Sequence, residues 1–257
     1  MTNENLKTIQ KRDIEKYSHD YLNSKFESVM VYYRRKKVLE FLNKYNPQRV
    51  LEIGSGIQSI FDFYTDYKEF TVVEPSSVFC ESVKKSKFYN NRVNIINDFF
   101  ENKIEILKQQ KYDFIILSSL LHEIQNPVEF LKNIYELCDD KTILHVNVPN
   151  SESFHLLWAY KSGLIKRIGD LTQTAIHLQQ NSIYNLITLE SFIESCGFCV
   201  LEKGSFFIKP FNHTKMFDCV EKNIIDSELL NGLYDLTDYF PNNGAEIFVN
   251  CKVCPNG

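Results

Sequence analysis

From about residue 49 onward, short apolar runs alternate with more polar segments of helical spacing. Runs of strand length cover residues 49–53, 70–73, 93–96, 113–117 and 142–148. Between them, residues 57–64, 77–86, 104–109 and 128–137 space their apolar positions as helices do. Strands alternating with helices predict a parallel sheet joined by right-handed crossovers. Two later runs, 199–208 and 246–253, predict two more strands. Between them and the fifth run, residues 189–196 predict a helix that ends on Gly197 in the left-handed conformation. Asn126 and Pro127 read as the cap and first residue of the helix at 128–137. Residues 1–45 carry helical periodicity without strands, with Tyr17, Tyr21, Phe26, Met30 and Tyr33 forming an aromatic-rich face. Residues 213–240 read as a helical excursion, either a second cap or an oligomer contact.

Composition narrows this picture. At 257 residues and 44% hydrophobic, the chain is long enough for one α/β domain with embellishments. A formal net charge of −4 gives no footprint for nucleic acid. The basic cluster Arg34-Arg35-Lys36-Lys37 lies in a helical segment and reads as a solvated face. The N-terminus is polar, and no apolar run approaches the roughly 18–20 residues of a membrane span. A cytoplasmic protein without a membrane partner is expected. Seven cysteines, mostly in apolar runs, predict reduced core thiols. Cys196/Cys199 and Cys251/Cys254 have the spacing of zinc-ligand pairs. However, Cys199 and Cys251 fall inside strand-like runs, where i and i+3 point to opposite faces, so no metal is expected.

The chemistry gathers at strand ends. Val50-Leu51-Glu52-Ile53 stops on Gly54-Ser55-Gly56, and glycines there permit positive φ and close approach of a ligand to the main chain. A helix expected over 57–64 would aim its free N–H groups and its dipole at that ligand. Glu52, a carboxylate at the end of a buried strand, favours a ligand with positive charge over one carrying phosphates. The dinucleotide fingerprint needs a third glycine where this chain has Ser59. Glu74 closes the second run, placed to accept from both hydroxyls of a ribose. Asp98 and Phe99 end the third run, where an acid and an aromatic ring suit an adenine; Asp98 is equally readable as a helix cap.

"VLEIGSG" followed by "VVEPS" resembles the first two motifs of the class I S-adenosylmethionine-dependent methyltransferases. "LLHEIQNP", after the fourth run and the small turn Ser118-Ser119, resembles the segment that places a His or His-Glu pair beside the transferable methyl in that family. The resemblance implies a Rossmann-like class I methyltransferase fold. It has a seven-stranded, mostly parallel sheet with an antiparallel last strand, and spans residues 46–257. A helical lid at 1–45 and a helical cap at about 151–187 are added to it. It implies S-adenosylmethionine as cofactor and S-adenosylhomocysteine as product, held by Glu52, Gly54, Ser55, Gly56, Glu74, Pro75, Asp98, Phe99, Ser118 and Ser119. His122 is expected as general base for a hydroxyl acceptor, with Glu123 orienting it or touching the acceptor.

"VNVPNSESFH" and the segment after the cap resemble a bacterial subgroup acting on small metabolites, such as sugars or nucleotide-linked precursors of capsule or natural products. Acceptor contacts are expected from Tyr17 and Tyr21 in the lid, His155 and His177 in the cap, and Lys209 at the end of the sixth strand. Leu156 stands where that subgroup commonly has a basic residue after the histidine. Three other readings stay open: a nicotinamide-dependent oxidoreductase, a methyltransferase acting on macromolecules, and a catalytically silent relative that binds cofactor. The choice between oxygen and nitrogen acceptors and the oligomeric state, a homodimer included, also stay open.

Overall fold

The structure is a computed structural model that describes residue 14, residues 26–169 and residues 181–255. Seven strands, β1 (Arg49–Ile53), β2 (Glu69–Val73), β3 (Val93–Ile96), β4 (Phe114–Ser118), β5 (Ile143–Pro149), β6 (Phe198–Phe206) and β7 (Glu246–Val253), form one sheet. Their order is β3-β2-β1-β4-β5-β7-β6. The first five pair in parallel, and β7 runs antiparallel to both neighbours. This is the sheet that the resemblance implied.

Strand alternation sends successive side chains to two apolar layers. Leu51, Ile115, Leu117, Leu144 and Val146 pack under helices α4 (Pro127–Tyr135) and α6 (Leu186–Ser195). Val50, Phe70, Val72, Phe114 and Ile116 pack under α1 (Glu27–Tyr45), which buries Met30, Val38, Phe41 and Leu42. The remaining helices are α2 (Ser77–Lys84), α3 (Ile104–Leu107), α5 (Phe154–Lys161), α7 (His213–Glu221) and α8 (Ser227–Asp235). The expected excursion is turned inward. In α8, Tyr234 stacks on Tyr33 of α1 at 5.3 Å, and Tyr33 donates to Asn231 Oδ1 at 3.0 Å.

Four sequence readings need correction. The helix expected over 57–64 is a single 3₁₀ turn, Ile60–Asp62. Ser59 is extended, with ψ at 156°, and its hydroxyl and the Ile60 N–H both turn to the buried Glu52 carboxylate. A three-residue turn carries no macrodipole to speak of, so the helix-dipole argument for this ligand site does not hold. The basic cluster of α1 is no solvated face either. Arg34 has an 11% exposed side chain paired with Glu27 and Glu246, the Arg35 guanidinium lies 3.8 Å from the Phe63 ring centroid, and Lys36 sits over Tyr234.

The third correction concerns the thiols. Cys199 and Cys254, one from each pair, form a disulfide, while Cys80, Cys138, Cys196, Cys219 and Cys251 are free. The antiparallel β6–β7 register sets Cys199 opposite Lys252, and the disulfide joins it to Cys254 just beyond the end of β7, with the Cα atoms 5.0 Å apart. The fourth is a polar string on the α1 face of the sheet, unforeseen within the apolar runs. Buried His145 lies 2.7 Å from Asn250 Oδ1 through Nδ1 and 3.2 Å from Asn147 Oδ1 through Nε2. Asn147 donates to Glu246 and Asn250 to Glu202. Burial pushes the His145 imidazole down to about 4.

Among the described residues no helix is long and apolar enough to cross a membrane, and no group of three His, Cys, Asp or Glu could hold a metal ion.

Candidate functional site

Off the carboxyl ends of β1, β2 and β4 lies a cavity of about 590 Å³, within the usual size of small-molecule sites. Its floor is the turn after β1. Gly54 has φ +80° and Gly56 φ +59°, as the sequence predicted for close main-chain approach. A Cβ on Gly54 would stand 3.4 Å from Leu120 Cδ2. Ser55, Pro75, Phe99, Ser118 and Ser119 also line the space, with Ser119 itself at φ +56°.

Glu74 leaves β2 buried, and its carboxylate ties two segments together. Oε2 accepts from Gly56 N at 3.1 Å and Oε1 from Ser76 N at 2.8 Å, while the group borders the cavity. Asn97, which the sequence reading passed over, fixes this turn by donating to the carbonyls of Glu74 and Pro75 at 3.0 and 3.1 Å. Its position just after β3 was the only signal.

Glu52 also lines the cavity but is engaged from behind by Ser59 and Ile60. Burial pushes its carboxyl up to about 8, against the pull of those two hydrogen bonds. At neutral pH it is therefore mostly protonated and presents no standing negative charge by itself. Asp98 is not brought to the cavity wall. It accepts from Phe99 N at 2.8 Å and Asn102 Nδ2 at 2.7 Å and pairs with Lys103 at 3.1 Å. The Asn102 amide and the Lys103 ammonium hold its carboxyl below the usual range.

After β4 the chain makes a 3₁₀ turn, Leu121–Glu123. Glu123 faces the cavity, whereas His122 does not line it and is 3% exposed, its Nε2 3.8 Å from Glu123 Oε1. Its carbonyl accepts from Asn181 N at 2.8 Å and Ser182 N at 3.0 Å, anchoring the chain near the end of the expected cap. Besides the protonated Glu52, the wall carries Glu74, Glu101, Glu123 and Glu129, against the cations Arg34 and Arg35 of α1 among the described residues. That lining favours a ligand with hydroxyl groups and positive charge, and supplies no cradle for a pyrophosphate.

The residues expected to meet an acceptor fall elsewhere. Tyr17, Tyr21 and His177 lie outside the described residues. Lys209 and His155 do not line the cavity. They gather beyond Arg34, beside Glu27 and Glu246, together with His213, which the sequence reading did not single out. His155 Nδ1 is 3.0 Å from Ser153 Oγ.

Residues 27–203 match a family model described as a methyltransferase domain. Among curated proteins, a probable polyketide synthase 10 of Dictyostelium discoideum is 26% identical over 178 residues, which is 59% of this chain and 7% of that protein. The chain thus spans a small fraction of the curated relative it matches. Solved structures share the fold at low identity. The plantazolicin methyltransferase BpumL, in complex with a monoazolic desmethylPZN analog and SAH, is 15% identical with a TM-score of 0.56, over 95% of this chain and 91% of that one. The 1,6-didemethyltoxoflavin-N1-methyltransferase of Burkholderia thailandensis is 9% identical with a TM-score of 0.54, over 94% and 89%. The methyltransferase domain of bacterial CtHen1-CN is 14% identical with a TM-score of 0.53, over 86% and 98%.

Proposed function

The chain belongs to the methyltransferase-domain family, and on that premise we propose that it moves the methyl group of S-adenosylmethionine to a hydroxyl or amine of a small polar metabolite. The observation that carries this reading is the acidic, glycine-floored cavity at the ends of β1, β2 and β4. A sulfonium nucleoside brings one ribose, one adenine and a positively charged tail, and the lining offers a partner for each. Glu74 is placed for the ribose hydroxyls, with Gly56 N and Ser76 N orienting its carboxylate. The rings of Phe79, Phe99, Phe100 and Phe130 give an apolar wall for the base. Glu52 and Glu123 face the remaining, polar part; a bound cation would favour ionised Glu52 over its resting protonated form.

S-adenosylmethionine when bound supplies a methyl carbon open to in-line displacement. The chain's own work is to hold an acceptor lone pair against that carbon and to exclude water. For a hydroxyl acceptor a proton must also leave. Glu123 is the group of the His-Glu pair that meets the cavity, so it takes the proton, with His122 behind it as the positioning residue. The recessed place of His122 favours a second reading, in which an amine acceptor is methylated by alignment alone.

Calorimetric titration with S-adenosylhomocysteine and with NADH tests the cofactor: micromolar binding of the nucleoside and none of the dinucleotide is expected, and the reverse ends the proposal. Glu123→Gln and His122→Ala then separate the two mechanisms. A proton-accepting pair predicts that both lower kcat at least about tenfold, His122→Ala at unchanged nucleoside affinity. Unchanged kcat in both leaves alignment alone.

A further inference from the structure

Asn147 does not line the cavity, yet it is bonded to two of its walls. Its main-chain carbonyl accepts from Ser119 N at 2.9 Å, which fixes the cavity-lining turn after β4 where Ser119 holds φ +56°. Its side chain, fully buried on β5, donates from Nδ2 to Glu246 Oε2 at 2.6 Å. Glu246 in turn accepts from Arg34 Nε at 2.9 Å, and Arg34 lines the cavity from α1. One residue of the sheet thus backs both the β4 turn and the α1 wall.

The opposite edge of the amide shows which neighbour its orientation serves. Asn147 Oδ1 lies 3.2 Å from His145 Nε2, while His145 Nδ1 lies 2.7 Å from Asn250 Oδ1. Asn250 is turned in the same sense by another carboxylate, donating from Nδ2 to Glu202 Oε1 at 3.0 Å. Both ring nitrogens therefore face amide oxygens. Burial, with Lys37 of α1 acting in the same direction, outweighs the two amide contacts and Glu202, so the ring is neutral at physiological pH. A neutral imidazole has one N–H to give. The shorter contact takes it, which sets lone pair against lone pair between His145 Nε2 and Asn147 Oδ1. The rings of Phe41, Phe114 and Phe248, at 5.4, 6.3 and 6.4 Å, enclose the imidazole. Turned over, the Asn147 amide would donate to Nε2, but its oxygen would then face the Glu246 carboxylate. The orientation present serves Glu246, and through it Arg34, and leaves the ring the poorer contact.

We propose that Asn147 is a positioning residue for the cavity: its carbonyl holds Ser119, and its amide, kept turned toward Glu246, holds Arg34 in the wall. The inference rests on the methyl-transfer reading only for what the cavity binds. S-adenosylhomocysteine carries a carboxylate, and Arg34 and Arg35 are the cations of the described lining, so an Arg34 that drifts from its place weakens the grip on that guest. The polar string also divides at His145 Nε2. Asn250 and Glu202 lie on the far side of the break, where Glu202 is taken up by Lys44 and Tyr45, and they have no part in setting Arg34.

The rival reading is that Asn147 satisfies a buried carboxylate for stability and does nothing for the cavity. Calorimetric titration of the full chain with S-adenosylhomocysteine, beside melting curves, separates them. Asn147→Leu keeps the main-chain bond to Ser119 and removes the amide; it should lose at least about tenfold in affinity. Asn147→Asp, of the same shape, places an oxygen where the amide donated and should lose at least as much. His145→Phe and Asn250→Leu, on the far side of the break, should melt lower than wild type yet stay within about twofold in affinity. In an Arg34→Met background, Asn147→Leu should cost no further affinity, because it acts through that guanidinium. Full affinity in both Asn147 variants, equal losses in the Asn147 and Asn250 variants, or additive losses with Arg34→Met overturns the positioning role. A wild type that binds no S-adenosylhomocysteine overturns the methyl-transfer reading itself, whereas tight binding by wild type and Asn147→Leu alike overturns the positioning role alone.

Discussion

At the Gly54–Gly56 turn the ligand-facing surface is largely main chain, set by two positive φ angles and one carboxylate that bonds two backbone N–H groups. The polar string behind Arg34 is entirely side chain, contributed by α1, β5, β6 and β7. The first region tolerates little change in a few adjacent residues. The second depends on tertiary packing, and any one of its members can be exchanged without altering local conformation. A backbone-built site is shaped by its own turn, whereas a side-chain-built support takes its shape from the packing around it.

Arg34 belongs to both regions, and breaking it should have the largest effect. Arg34→Met leaves Glu246, 3% exposed, without its cation. A loss of about 3–5 kcal/mol in denaturant unfolding is expected, with affinity for S-adenosylhomocysteine reduced alongside it; full affinity would show that Arg34 does not shape the cavity.

Gly54→Val should strike the cavity alone. Backbone strain of about 1–3 kcal/mol at a positive φ adds to a side chain intruding beside Leu120, so affinity for S-adenosylhomocysteine should fall by about a hundredfold.

At Glu52 the expected effect concerns stability and appears only as pH rises. The folded-state pKa of about 8 lies above the ordinary 4.5, so the folded protein holds this proton more tightly than the unfolded chain does. The corresponding stabilisation is complete below pH 4.5 and is lost as pH rises toward 8. Glu52→Gln should therefore flatten the decline in melting temperature across that window, a difference on the order of 4 kcal/mol at pH 8. Parallel profiles for the two proteins would place the ionised carboxylate in the resting state.

The same contrast explains what could be read before the fold was known. Gly54, Gly56 and Glu74 announce themselves because their positions follow from local backbone and neighbouring strand ends, and the strand edges at 49–53, 93–96 and 246–253 match the structure to the residue. Arg34 looked like one of four solvent-facing cations because nothing within its helix shows that Glu246, distant in sequence, lies opposite. Asp98 looked like a ligand because its strand-end position is right, while the Lys103 and Asn102 that claim it are a local accident of spacing. The helix over 57–64 was suggested by apolar spacing, but the apolar groups Ile60, Phe61 and Tyr64 are buried without it, and Glu52 selects the extended Ser59. Cys199 and Cys254 required the β6–β7 register, which no spacing within either pair reveals.

The position of α1 carries one more consequence. A single helix supplies Val31, Arg34 and Arg35 to the cavity and holds the string at both ends, at Glu246 through Arg34 and at Glu202 through Tyr45, so transient undocking of that helix opens the one and frees the other at once.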